Sequence, residues 1–507
     1  MKRIFGTVWF RIAALALTVL LQIGIYVALF LFFSDYGSWF LLFCTILSAI
    51  AVMRIVLKDG CPEYKIAWII PILVFPVFGG GLYLIFGHKV LSKRARRRIS
   101  VISKRLNEDR WEKNSSVEQL EKVSSAAAFQ ARYLENHASA TLYDETDVQY
   151  FPVGELMFES LLDDLKSAKQ FIFLEYFIIS EGEMWSKILS ILEEKAREGV
   201  DVRLMYDDLG CVFLLPGDFP QQMEKKGIRC CPFNRFRHIF NSRFNNRDHR
   251  KICVIDGNIG YTGGINLSDE YINRVKKHGH WKDTAVRLRG NGVFGLTRMF
   301  LSVWEFYRGD FSDFSQYAPT QKVCAEGYVQ PFGSSPDSPE TVGENMYINF
   351  LNKAQKYVYI TTPYLIIDSN MIKALTVSAK AGIDVRIITP GIPDKKVVYF
   401  LTRSYYPVLL EAGVKIYEYT PGFIHAKSAV SDDNTAVVGT INLDYRSLYL
   451  HQECAVWMYG TECVKDIRDD FLKTQAKCLQ VTANSIRRIP AWKRMFLAFL
   501  RIFAPLM

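Results

Sequence analysis

His249-Arg-Lys251-Ile-Cys-Val-Ile-Asp256 and His425-Ala-Lys427-Ser-Ala-Val-Ser-Asp432 are the two stretches that decide the fold. Both read H-x-K-x4-D. Gly263 and Gly439 each lie 14 residues past the histidine, and Asn266 and Asn442 each lie 17 past it. A single octapeptide of this kind could arise by chance. Two of them, with glycine and asparagine following in register, mark a duplication.

The flanks repeat as well. Gln170-Phe-Ile-Phe-Leu-Glu-Tyr-Phe parallels Tyr357-Val-Tyr-Ile-Thr-Thr-Pro-Tyr, and Gly199-Val-Asp-Val-Arg-Leu parallels Gly382-Ile-Asp-Val-Arg-Ile. Gly227-Ile-Arg matches Gly413-Val-Lys. Residues 170–270 and 356–447 are therefore two versions of one unit. Each alternates short β-branched runs with helical stretches such as 184–198 and 371–381. That alternation predicts an α/β fold of two duplicated units, with mostly parallel sheets covered by helices. The first copy carries about ten extra residues between Gly227 and His249, read as a loop. Two homologous units imply a pseudo-twofold axis at which equivalent strand ends meet.

Strand parity separates the motif into roles. Histidine and lysine two apart project from one face of a strand, whereas an aspartate seven on faces away or lies past the strand end. His249, Lys251, His425 and Lys427 are thus expected to face the reacting group, with Asp256 and Asp432 as braces completing the catalytic motifs. Two imidazoles, two ammoniums and the amides of Asn266 and Asn442, gathered at an axis, suit a phosphate or phosphodiester. Two histidines suit double displacement: one attacks phosphorus, the other protonates the leaving oxygen and then activates the acceptor hydroxyl. An attacking imidazole also needs a carboxylate on its second nitrogen. Trp281-Lys-Asp283-Thr-Ala-Val and His451-Gln-Glu453-Cys-Ala-Val occupy equivalent strands 34 and 28 residues downstream, so Asp283 and Glu453 are the expected orienting acids.

Composition limits what surrounds this body. The chain has 507 residues, half of them hydrophobic, and a formal charge of +10. A disulfide-stapled miniature and a disordered chain are both excluded. Residues 1–88 carry only nine charged residues, whereas 89–105 carry eight bases and no acid. From 106 to 485 the balance is slightly acidic, and the last 22 residues add five bases. A nucleic-acid enzyme would carry a basic catalytic groove; here the positive charge flanks apolar segments instead. Ten scattered cysteines, without C-x-x-C or zinc spacing, fit reduced thiols.

Three apolar runs occupy the N-terminal region. Ile12 to Phe33 lacks charge and is long enough to span a bilayer. Trp39 to Met53 reaches Leu57 if Arg54 snorkels, and Ile66 to Phe86 is interrupted by Pro71, Pro76 and Gly79-Gly80-Gly81. Lysine and arginine counts favour two spans, joined by the loop 34–38, with both ends cytoplasmic. The third run then reads as a re-entrant or interfacial segment, or as a third span. The expected organisation is a membrane anchor over 1–88, a basic linker and helix over 89–135, repeat units over 136–320 and 321–485, and an amphipathic surface helix over 486–507. Expected localisation is a cell membrane, multi-pass, with the catalytic part cytoplasmic.

The paired motif resembles that of the phospholipase D superfamily over roughly residues 130–480. The block Pro76-Val-Phe-Gly79-Gly-Gly-Leu-Tyr83-Leu-Ile-Phe-Gly87, together with Trp281-Lys-Asp283-Thr, Asn442-Leu-Asp-Tyr-Arg-Ser447 and the closing Ala504-Pro-Leu-Met, narrows the resemblance to bacterial cardiolipin synthases. It implies phosphatidyl transfer between two phosphatidylglycerol molecules through a phosphohistidine, without metal or nucleotide. It further implies His249 as nucleophile and His425 as acid/base. Partners are then phosphatidylglycerol and anionic membrane lipid, not nucleic acid. The alternative chemistry is phospholipase D-type hydrolysis with water as acceptor; complete motifs in both halves argue against a non-catalytic scaffold. Thr440 departs from the repeat, standing where the first unit has Gly264.

Several features have plainer readings. His278-Gly-His280 is read as loop histidines rather than a metal pair, and Arg403-Ser-Tyr405-Tyr406 as a headgroup contact or a helix exposing mixed residues. Glu175-Tyr176-Phe177 and Pro363-Tyr364 end equivalent strands, where open α/β sheets place ligands.

Overall fold

The computed structural model describes residues 34–58, 60–75, 79–83, 93–108, 116–235, 246–310, 313–484 and 490–506, with Leu20 and Gly24. The first apolar run, apart from those two residues, and the inserted segment 236–245 lie outside the described residues.

Each repeat unit builds one sheet. The first contains β1 (Thr146–Phe151), β2 (Phe171–Tyr176), β3 (Asp201–Asp207), β4 (Arg229–Phe233), β5 (Lys251–Ile255), β6 (Ile259–Gly263) and β7 (Ala285–Gly290). Their order is β1-β7-β6-β5-β2-β3-β4. The second contains β8 (Tyr328–Ser334), β9 (Tyr357–Thr361), β11 (Asp384–Pro390), β12 (Lys415–Tyr419), β13 (Ser428–Ser431), β14 (Thr435–Gly439), β16 (Glu453–Tyr459) and β17 (Cys478–Gln480). A short parallel pair, β10 (Leu365–Ile366) and β15 (Leu443–Asp444), lies beside it. Read from the other edge, the second order is β8-β16-β14-β13-β9-β11-β12-β17, which is the first order with one strand added. The duplication read from sequence extends to strand order.

The expectation of mostly parallel sheets is corrected. Only β2–β3, β3–β4, β9–β11 and β11–β12 pair in parallel; the remaining main-sheet pairings are antiparallel. The connections explain this. The helices Glu183–Arg197 and Ser369–Lys380 provide crossovers between β2 and β3 and between β9 and β11. The strand that carries each H-x-K motif instead returns through a three-residue turn, too short for a parallel crossover. Those turns, Asp256-Gly257-Asn258 and Asp432-Asp433-Asn434, place Asp256 (φ +52°), Gly257 (+67°), Asp432 (+54°) and Asp433 (+59°) in the left-handed region, where Asp, Asn and Gly are tolerated best.

One buried cluster joins the two sheets. Phe173, Val254, Val286 and Phe300 from the first unit meet Ile388, Ile424, Val430 and Val456 from the second. Trp304, on the helix Val293–Arg308, is fully buried within it. A second cluster, including Met157, Leu161, Ile188 and Leu192 with Leu174 and Val202, packs the helices Gly154–Ser167 and Glu183–Arg197 onto the first sheet. Burial of this apolar area is the main force bringing the pseudo-axis together.

The N-terminal region has helices at Ser34–Leu57, Pro62–Val74 and Gly79–Leu82. Residues 34–38, expected as a loop, instead form the first turn of the helix Ser34–Leu57 despite Gly37, continuous with the apolar run that starts at Trp39. Among the described residues one helix is long and apolar enough to cross a membrane, over Ser38–Leu57. The third apolar run is not one continuous helix. Pro71 lies near the end of Pro62–Val74, which stops at Phe75. Trp68 and Tyr83 then meet edge-on with Ile55 and Ile72 in a small cluster of their own. At the other end of the chain, the helix Ala491–Ile502 exposes Trp492, Met495, Phe496 and Phe499.

Candidate active site

Both histidines sit just before their motif strand, at the edge where the units exchange backbone hydrogen bonds. The His249 amide donates to the Gln452 carbonyl (2.9 Å), and the Gln452 amide to the Arg247 carbonyl (2.7 Å). Reciprocally, the His425 amide donates to the Lys282 carbonyl (2.7 Å) and the Lys282 amide to the Phe423 carbonyl (3.0 Å). Each motif is therefore stitched to the residue preceding the acid of the other unit.

The side chains cross in the same way. Nδ1 of His249 lies 3.0 Å from both carboxylate oxygens of Glu453. Nδ1 of His425 lies 2.6 Å from Oδ2 of Asp283. Both acids are fully buried and each histidine is 7% exposed. An N–H on Nδ1 facing the carboxylate leaves Nε2 as the free nucleophilic or basic nitrogen. Strand equivalence located both acids, but not the fact that each serves the opposite histidine.

Burial governs the charges here. It lowers His249 to about 3, against the opposing pull of Glu453, and holds His425 well below the usual histidine range. Burial lowers Lys251 to about 8 and Lys427 to about 7, with Glu453 and Asp283 opposing. It raises Asp283 to about 7 even though Lys427 is nearby. Burial acts to raise Glu453 too, but His249 and the hydrogen bonds to it hold that acid below the usual carboxylate range. Nζ of Lys251 donates to the His249 carbonyl at 2.5 Å, and Lys427 makes the equivalent bond to the His425 carbonyl.

Asp256 and Asp432, included with the catalytic motifs, do not stand with the histidines. Asp256 accepts from the amides of Lys169 (2.8 Å), Gln170 (2.7 Å) and Phe171 (2.9 Å). Asp432 accepts from those of Gln355, Lys356 and Tyr357 at 2.7–3.0 Å. They tie the far end of each motif strand to the start of its neighbour, as their parity predicted.

The two asparagines are not equivalent. Asn266 accepts from the Ile178 amide (3.0 Å) and donates to the Tyr271 hydroxyl (2.6 Å); Tyr271 in turn packs edge-on against His425. Asn442 is buried, and its carboxamide oxygen has no partner among the described residues. Gly263 and Gly439 keep their spacing for a steric reason. A Cβ on either would lie 2.4 Å from a neighbouring-strand carbonyl, of Thr284 or Cys454 respectively.

The departure at Thr440 has a structural meaning. Its hydroxyl donates to Glu453 Oε2 and accepts from the Cys454 amide at 2.9 Å. A Cβ at Gly264 would lie 2.0 Å from Asp283 Oδ1. One acid is propped by a hydroxyl, while the other occupies the space a side chain would need.

Several neighbours have structural duties. Glu175 pairs with Arg250 at 2.6 Å, Tyr364 donates to Asp394 at 2.7 Å, and Arg403 faces Glu418 at 3.4 Å. His280 Nδ1 lies 3.1 Å from the Tyr419 hydroxyl, and His278 packs near Trp281. Burial raises the thiols of both Cys230 and Cys231, the latter to about 11, away from reactivity.

The family "cardiolipin synthase, PLD-like domain" matches residues 161–278 and 347–474, and the family "phospholipase D-nuclease N-terminal" matches 46–88. The chain is 33% identical to cardiolipin synthase 2 of Bacillus anthracis over 89% of its own length and 88% of that protein. The chain belongs to the cardiolipin synthase family. It is also 45% identical to an uncharacterized protein of Streptococcus mutans, over 87% of its own length and 96% of that one. The crystal structure of a phosphatidylserine synthase from Haemophilus influenzae superposes with a TM-score of 0.58 at 14% identity, covering 75% of this chain and 98% of the other. That likeness concerns the fold.

His249, His451 and Glu453 gather donor atoms within 4.8 Å of one another, a spacing that could hold a metal ion. Glu453 already faces His249, however, and the charge of Lys251 reaches the same imidazole. That charge balance favours an anion. Motif spacing assigns His451 no part in the site; its position two residues before Glu453, just ahead of the strand Glu453–Tyr459, is the signal for it in the sequence.

Proposed function

We propose that this member of the cardiolipin synthase family exchanges one phosphodiester for another, converting two phosphatidylglycerol molecules into cardiolipin and glycerol. His249 Nε2 attacks phosphorus while His425 gives a proton to the departing glycerol oxygen. Burial keeps His425 neutral in the free enzyme, and the bound anionic phosphodiester favours its charged form. His425 then takes the proton from a glycerol hydroxyl of the second lipid as that oxygen displaces His249. Lys251 and Lys427 hold the phosphoryl charge, Asp283 and Glu453 keep the imidazoles aligned, and Asn266 and Asn442 shape the walls. Phosphorus–oxygen bonds are exchanged one for one, so the reaction needs no external energy source.

The crossed histidine–carboxylate pairs carry this reading. Two buried, acid-oriented imidazoles fit double displacement better than a binding module, which would have no use for them. Phosphatidylglycerol and anionic lipid are the partners in this reading. The Ser38–Leu57 helix and the basic 89–105 segment support a membrane anchor with the catalytic part on the cytoplasmic side. Two spans with both ends inside satisfy the lysine and arginine distribution. In intact cells the exposed Cys324 should then resist an impermeant thiol reagent, and it should react after lysis.

The deciding assay incubates the purified chain with phosphatidylglycerol in micelles. Equimolar cardiolipin and glycerol are expected. Phosphatidic acid as main product would overturn the synthase reading in favour of hydrolysis.

A further inference from the structure

His451 is a third imidazole within the site that none of the steps above uses. Its ring centroid lies 5.7 Å from that of His249, and it is 9% exposed. Nδ1 lies 3.8 Å from Glu453 Oε1, beyond hydrogen-bond distance. Neither ring nitrogen has a hydrogen-bond partner among the described residues. Nδ1 is thus within ion-pair reach of Glu453 only, and a buried imidazole that makes no hydrogen bond is costly; a ligand that accepts one from it removes that cost.

The surroundings indicate the chemistry of that ligand. His249, His425, Lys251 and Lys427 are all buried, and their charges reach one another across the two halves: Lys251 and Lys427 both act on His425, and His249 acts on Asp283. Glu453 is committed to His249 and Thr440. An oxyanion gives the remaining donors a common partner. The pseudo-twofold sharpens the point, because Trp281 takes the equivalent place in the other half, two residues before Asp283. Its ring lies 5.5 Å from that of His425 and 4.8 Å from that of Phe423. One side of the axis presents an indole wall, the other an imidazole.

Resting on the proposed phosphodiester chemistry, we infer that His451 is a substrate-contacting residue that donates a ring N–H to a non-bridging oxygen of the phosphoryl group held beside His249. The contact is made by one half of the repeat only.

The test uses the full-length protein with tungstate, a tetrahedral oxyanion, as probe. Its affinity is measured by calorimetry for wild type, His451→Phe, His451→Leu and His451→Gln, with thermal unfolding as a check on folding. Phe and Leu both keep bulk without a donor, so the comparison stands if either folds, and Gln keeps an N–H. About tenfold weaker binding is expected in the apolar variants, with Gln within about threefold of wild type, the scale of one charge-assisted hydrogen bond. Undiminished tungstate affinity in a folded apolar variant would overturn the inference, as would equal losses in Gln and Phe. Lipid products are followed in parallel. A wild-type enzyme that binds tungstate but yields only phosphatidic acid would overturn the synthase reading and leave the His451 contrast readable.

Discussion

Nδ1 of His249 faces Glu453 across the repeat boundary, 3.0 Å from both of its oxygens, so the acid at this histidine comes from the other half. His425 makes the mirror arrangement with Asp283. The two halves thus exchange one essential group each.

Neutralising either acid should cripple turnover while leaving the fold intact. Glu453→Gln and Asp283→Asn keep shape but lose the charge that fixes the imidazole tautomer. In a comparable histidine–aspartate pair this loss costs about 10⁴-fold in turnover. Falls of about 10³-fold or more in cardiolipin formation are expected, and residual activity above a tenth of wild type would count against the crossed pairing.

Either histidine replaced by alanine should abolish synthesis, and the two variants mixed should not rescue one another. Both imidazoles serve one phosphorus at one axis, so a chain lacking either has no complete site. Activity of the mixture above the sum of the separate variants would show that histidines are shared between chains.

Asp256→Ala should act on stability instead. Three backbone amides lose a charged acceptor, a cost of about 2–4 kcal/mol after partial rehydration. A lowered denaturation midpoint with near-normal turnover per folded molecule is expected. Chemical unfolding combined with active-site titration separates the two effects.

The pH profile of kcat/KM should be a bell. Asp283, pushed up to about 7, orients His425 only when ionised, so the rate rises through that pH. Lys251, pulled down to about 8, holds phosphate only when charged, so the rate falls as it deprotonates. Lys427, lowered to about 7, narrows the alkaline side further. A rate still climbing above pH 9 would contradict both lysine assignments.

At Gly264 even a methyl group should be harmful, because it would meet the Asp283 carboxylate. Gly264→Ala should lose about 10²-fold or more in activity, whereas Thr440→Val, which removes one hydroxyl from Glu453, should lose about tenfold. Reversal of that order would mean that the two acids are held differently from the arrangement described.

The site was legible in sequence to the extent that it depends on spacing. His249, Lys251 and their counterparts stand out because a strand period of two places them together, and Asp283 and Glu453 because duplicated strands align. Asp256 betrayed its bracing role by parity alone. Strand direction was less visible. Alternation of β-branched and helical segments signals crossovers, but only the turn Asp256-Gly257-Asn258 says that the motif strand doubles back, and its three residues count for little in such a pattern. The exchange of acids between halves is a relation across the axis, which no spacing within either copy encodes. Asn266 looked like a phosphate ligand by residue type; that Ile178 and Tyr271 take its oxygen and one of its two amide hydrogens is a relation its spacing does not encode.

The exchanged acids have an evolutionary consequence. A chain cut between the units yields two fragments, each holding a histidine without its acid and an acid without its histidine. After the duplication neither copy was free to drift as a spare, because damage to one falls on the nucleophile or base of the other. Divergence had to be tolerated on both sides at once, as with the hydroxyl of Thr440 in one half and the bare Gly264 in the other.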